Sequence, residues 1–121
     1  MNAHELETRL IGFASRVMDL VEKLPTTLGG KHLGGQLLRS GTAPALNYGE
    51  AQAAESREDF IHKMKICLKE LRETMANLRI IHLRNYFPGD KLEPLLKENN
   101  ELISIFVAST KTAAEHKRQK R

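Results

Sequence analysis

Tryptophan is absent, aromatic residues make up only 5% of the chain, and there is a single cysteine, Cys67. Without large aromatics a core must be built from Leu, Ile, Val, Met and Ala, a composition that suits helix packed on helix. A lone cysteine excludes an internal disulfide and fits a reducing compartment. No apolar run approaches the roughly 18–20 residues of a membrane span. The opening MNAHELETRL lacks the basic start and apolar middle of a secretory signal. These absences predict a cytoplasmic protein with no membrane partner.

The 121 residues are enough for one domain that holds its own core without staples. The formal charge of +4 is unevenly placed. From Lys111 onward, Lys111, Lys117, Arg118, Lys120 and Arg121 stand against Glu115 alone, which accounts for the whole excess. The preceding residues carry 14 charges of each sign and cancel. Basicity therefore belongs to the tail, and a body-wide nucleic-acid surface is not implied.

Apolar periodicity marks four helices. Leu6, Leu10, Phe13, Val17, Leu20 and Leu24 recur at spacings of 4 and 3, which predicts a helix from about His4 to Lys23, ended by Pro25. Glu5–Arg9 and Asp19–Lys23 are spaced as i,i+4 pairs on its solvent side. A second helix, about Lys31 to Ala53, has Leu33, Leu37, Leu38, Leu46 and Tyr48 for apolar contacts. It is thin, with Gly34, Gly35, Gly41 and Gly49, and Pro44 predicts a kink. Such a helix is stable only with neighbours packed closely on its backbone. Ser56 caps the third, whose seam of Phe60, Met64, Cys67 or Leu68, Leu71, Met75, Leu78 and His82 runs to the breaker YFPGD. The fourth spans about Lys91 to Glu115 and buries Leu92, Leu95, Leu102, Ile103, Ile105, Phe106 and Ala113, while Glu93, Lys97 and Glu101 form a solvent-side ladder. Short loops between these elements predict an all-α, antiparallel up-down-up-down four-helix bundle over residues 1–115, with 116–121 a frayed basic tail.

Catalytic chemistry finds little support. A di-iron bundle needs Glu-x-x-His on two helices and a Glu from each of the others. Only Glu58, Asp59 and His62 approach that pattern, once, and His32, His82 and His116 bring no matching partners. Cys67 lies on an apolar seam, where cysteine acts as a small hydrophobe, although Lys63 stands one turn before it. Gly29, Gly30, Gly34 and Gly35 do not form a phosphate loop, and no strand precedes them. No catalytic residue, metal, cofactor or small-molecule substrate is inferred.

One face of helix two is polar. Gln36, Ser40, Ala43, Asn47 and Glu50 follow the 4,3,4,3 spacing, with Arg39 beside them. The residues suited to meet them on helix three are Lys69, Arg72 and Glu73. Buried polar groups must be paired, and such sets fix register and partner choice. Gln36, Arg39, Ser40, Asn47, Glu50, Lys69 and Glu73 are accordingly expected to form a structural or assembly network; a pocket remains the alternative.

The run RSGT–P–xx–NYxEA followed by SxxxFxxKxxxxLKExxE, from Arg39 to Glu73, resembles the family of proteins encoded in 23S rRNA intervening sequences, the small four-helix bundle proteins. Gln36, Leu37, Arg39, Ser40, Asn47, Glu50, Phe60, Lys69, Glu70 and Glu73 carry the likeness. Thr42, Ala43 and Ala51 depart from it. The resemblance implies a bundle that assembles as a ring, commonly a homopentamer. The chain is also similar to the accessory variability protein of diversity-generating retroelements, a pentamer whose basic surface binds nucleic acid and a reverse transcriptase. The expectation is a non-enzymatic homo-oligomer, a pentamer by preference, whose tail cations Lys111, Lys117, Arg118, Lys120 and Arg121 meet RNA or a ribonucleoprotein. A protein-interaction scaffold that binds no nucleic acid is the alternative.

Overall fold

The computed structural model describes residues 1–119, with side chains through His116. Lys120 and Arg121 lie outside the described residues, as do the side chains of Lys117 and Arg118. Four helices account for most of it: α1 (Ala3–Glu22), α2 (Leu28–Gln52), α3 (Arg57–Leu83) and α4 (Glu93–Gln119). The first three N-termini are closed by side-chain caps, which satisfy amides that have no partner within the helix. Asn2 accepts from the Glu5 amide at 2.8 Å, Thr27 from Gly30 at 3.1 Å and Ser56 from Asp59 at 3.0 Å. Gly30 is required where it stands, since a Cβ there would lie 2.1 Å from the Pro25 carbonyl oxygen. The Thr27 cap starts α2 earlier than its apolar pattern alone implies. Asn85 and Gly89, at φ 55° and 59°, turn the chain between α3 and α4. Pro44 sits inside α2, which runs on through it, and α4 continues past Glu115 to Gln119.

Side-chain pairs fix the directions of the helices. Val17 meets Gly41 and Glu7 approaches Gly49, so α1 and α2 run antiparallel. Ser40 bonds Thr74, and Glu50 pairs with Lys63, so α2 and α3 do too. Arg9 reaches Glu98 and Glu101, while Leu20 and Lys23 share a cleft with Leu92 and Leu95, which sets α4 antiparallel to α1. The result is an up-down-up-down bundle. Among the described residues each helix packs on its chain neighbours, α1 and α4 close the bundle most sparsely, and the backbones of diagonal pairs do not meet. Side chains fill that diagonal: the rings of Tyr48 and Phe106 meet edge to face, with centroids 5.8 Å apart.

The α1 seam is buried as its spacing requires. Three expectations need correction. Leu38 and Leu46, read as core contacts, are exposed on α2. His82 is also exposed, and Ile81 closes the α3 seam in its place. Arg9 does not turn to Glu5; it crosses to α4, with Nε donating to Glu98 Oε2 at 2.7 Å and Nη2 to Oε1 at 2.6 Å. Such a two-point contact between charged groups outweighs a solvent-side i,i+4 pair.

Candidate assembly and binding surfaces

The polar residues of α2 separate into several contacts. Arg39 leaves α2 toward α3, where Nη1 donates to Glu70 at 2.8 Å and Nη2 to Glu73 at 2.5 Å. Glu70 is buried, and the guanidinium supplies the positive charge that a buried carboxylate needs. Below it, the fully buried Ser40 Oγ accepts from Thr74 at 2.9 Å and from Asn77 at 3.4 Å. Thr74 also approaches the Glu70 carbonyl oxygen at 2.9 Å, so these residues occupy one continuous polar strip between α2 and α3.

The remaining polar positions lie apart from that strip. Asn47 donates to the Ala43 carbonyl of its own helix at 3.1 Å. Glu50 pairs with Lys63 at 3.3 Å on the surface. Gln36 and Lys69 are exposed, and Lys69 borders an open groove along α3. Lys111, the one expected tail contact with a described side chain, is exposed on α4.

Asn99 is fully buried in α4, its Nδ2 donating to the Leu71 carbonyl at 3.1 Å while its Oδ1 has no partner among the described residues. It was readable as a polar residue at a seam position between Leu95 and Leu102. Cys67 is buried beside Pro44, with Sγ 3.6 Å from that residue's carbonyl oxygen, and burial pushes the thiol up to about 12. A thiol so placed stays protonated and poorly nucleophilic at neutral pH. His62 is exposed, and among the described residues no three His, Cys, Asp or Glu side chains gather to hold a metal. Nor is any described helix long and apolar enough to cross a membrane.

The outer surface of α1 and α2 carries exposed apolar side chains among its polar ones. Ile11 is 56% exposed and Leu46 72%, with Met18 and Leu38 also exposed. The Val17–Gly41 and Glu7–Gly49 approaches put Ile11 level with Leu46 and Met18 level with Leu38. A second group, Leu28, Ile80 and Leu83, is exposed where α2 begins and α3 ends.

The 23S rRNA-intervening sequence protein family matches residues 5–108. No curated protein matches the chain. A crystal structure of a protein of unknown function from the S23 ribosomal protein family of Bacteroides thetaiotaomicron is similar, at 30% identity and a TM-score of 0.84. The likeness covers 92% of this chain and 99% of that one.

Proposed function

We propose that this chain, which belongs to the 23S rRNA-intervening sequence protein family, is a non-enzymatic subunit of a homo-oligomer, a pentameric ring, that holds RNA or a ribonucleoprotein weakly through clustered basic tails. The α1/α2 face carries the assembly. Soluble monomers rarely expose contiguous apolar patches beyond roughly a few hundred Å², and fully burying one large aliphatic side chain is worth about 1.5–3 kcal/mol. Ile11, Met18, Leu38 and Leu46 supply four at one face. A ring joins unlike faces head to tail, and the separate Leu28, Ile80 and Leu83 group offers the second.

The nucleic-acid part rests on Lys111, Lys117, Arg118, Lys120 and Arg121. One such tail binds phosphate weakly and in a salt-sensitive way, but several gathered on one ring act together through effective concentration. The non-enzymatic part draws on Cys67, whose burial works against nucleophilic use.

Light scattering at micromolar concentration tests the assembly, and a monomeric mass would sink it. Fluorescence anisotropy with a labelled structured RNA, over several salt concentrations, tests the rest on the intact chain and on one cut after Thr110. Salt-sensitive binding that is weakened by the cut supports the tails. No binding at about 150 mM salt turns the search to a protein partner docked on the apolar faces.

A further inference from the structure

We propose that the outward face of α3 is a second nucleic-acid contact, in which Lys65, Lys69, Arg72 and Arg79 grip the sugar-phosphate backbone. This rests on the nucleic-acid part of the function above, and it moves part of the binding from the tail to the body of the bundle.

The near-zero charge of the body conceals a segregation. Spaced by 4, 3 and 7 residues, the four cations fall on one stripe of α3 opposite its buried seam, and all four are exposed. They span about 21 Å along the helix axis. None of the four has a carboxylate within ion-pair distance among the described residues. The acids of the middle of α3 are turned aside: Glu70 and Glu73 face α2, where Arg39 holds both. Glu73 borders the groove beside Lys65, Lys69 and Arg72, but its carboxylate is engaged by that guanidinium. Glu58, seven residues before Lys65, opens the stripe in the first turn of α3, and from Lys65 to Arg79 no acid falls on it.

The neighbouring flank of α4 reinforces the stripe. Glu98 and Glu101 lean toward Arg9 on α1, so the opposite flank of α4 faces α3. On it, Asn100, Ser104, Val107 and Lys111 follow at spacings of 4, 3 and 4 without an acid. The α3 stripe and the first tail cation therefore lie on one side of the bundle. The groove between the cations is open and shallow, floored by Leu68, Ala76 and the aliphatic stems of the cations themselves. It offers charge along a line and little to fill a side-chain pocket, which suits a regularly charged backbone better than a folded protein partner.

The test measures anisotropy of a structured RNA and of DNA of the same sequence, each across a salt series. Two triple variants are compared in the full chain: Lys65→Gln, Lys69→Gln and Arg72→Gln on the stripe, and Arg16→Gln, Lys23→Gln and Lys91→Gln on the α1/α4 face. Both remove the same charge. The stripe variant should bind about tenfold or more weakly at moderate salt, and its log–log salt slope should fall by about 2–3. The control should bind as the parent does. Loss on RNA alone marks the 2′-hydroxyl as part of the contact; loss on both marks phosphate only; either supports the proposal. If the stripe triple does not fold, Lys69→Gln alone should still lower the slope by about 1. A stripe variant that binds like the parent overturns the α3 contact and leaves the tails, and so does an equal loss in the control, which would mean net charge only. Displacement by polyglutamate as effective as by nucleic acid of equal charge would overturn it in favour of an acidic protein segment. If the parent binds neither probe, the nucleic-acid reading itself falls.

Discussion

Val17 lies against the backbone of Gly41 so closely that a Cβ on Gly41 would come 2.7 Å from one Val17 methyl and 2.9 Å from the other. Val17 is fully buried, and its branched side chain has little rotamer freedom in a helix. Alanine would gain about 1 kcal/mol in helix propensity but must overpack this crossing, at a cost of about 1–3 kcal/mol. Gly41→Ala should therefore destabilise the bundle by about 1 kcal/mol. In a Val17→Ala background the same change should become neutral or stabilising. A double-mutant cycle by urea unfolding reads the coupling, and additive effects would contradict the close approach.

Arg9 makes stability depend on acid. Its hydrogen bonds hold the Glu98 carboxyl below its usual value, with burial opposing and the Arg9 charge assisting. In the unfolded chain Glu98 takes up its proton first as pH falls. The stabilisation is therefore complete above the ordinary carboxylate range and is lost as pH drops through the lowered folded value. Arg9→Gln should unfold more easily at neutral pH, by about 1 kcal/mol, and should show a flatter loss of stability below about pH 4.5. Thermal melts across pH 3 to 7, approximately the carboxylate range, give the answer; parallel curves for the two proteins would refute it.

Asn99 gives up desolvation energy at Oδ1, an unpaired buried acceptor that costs about 1–3 kcal/mol. The Leu71 carbonyl that receives Nδ2 sits inside α3 and keeps its place in the helix ladder without it. Asn99→Leu, which has a similar branched shape, should raise the denaturant midpoint by the equivalent of about 1 kcal/mol with an unchanged slope. A lower midpoint would mean that the amide contributes more than its unpaired oxygen costs.

Ile11→Glu with Leu46→Glu should convert the proposed ring to a smaller species while far-ultraviolet circular dichroism stays the same. Both side chains lie outside the core, so the fold loses little. Retention of the parent mass in light scattering would remove the α1/α2 face from the interface.

Much of the fold was readable because α1 obeys a simple rule: five apolar residues, with Leu24 just past the helix as a sixth, recur at alternating spacings of 4 and 3 and all are buried. On α3 the same spacing holds from Met64 through Cys67, Leu71, Thr74 and Leu78 to Ile81, but one of its buried positions is polar. Thr74 is fully buried where the expected seam had Met75, so the position after Leu78 falls on Ile81 and leaves His82 outside. Leu38 and Leu46 were misread because the buried seam of α2 runs largely through small residues: Gly30, Gly34, Leu37, Gly41, Pro44, Tyr48 and Ala51 keep the spacing, and the two leucines fall off it. The partner of Arg9 was hidden for another reason: Glu98 is 89 residues away, and only the antiparallel closure of α4 on α1 brings it near. The Arg39 contact with Glu73 was within reach of sequence, since both belong to the polar pattern, but the burial of Glu70 beneath it was not.

The sparse contact between α1 and α4 gives the molecule the mechanics of a bound book. Its spine is the α2–α3 pair, where close packing and the polar strip make separation costly. Its fore-edge is α1 against α4, with the two-point grip of Arg9 on Glu98 as a clasp. Local opening follows the least-packed edge, so amides along α1 and α4 exchange with solvent before those of the spine, and the pages part on the side away from the α3 cations.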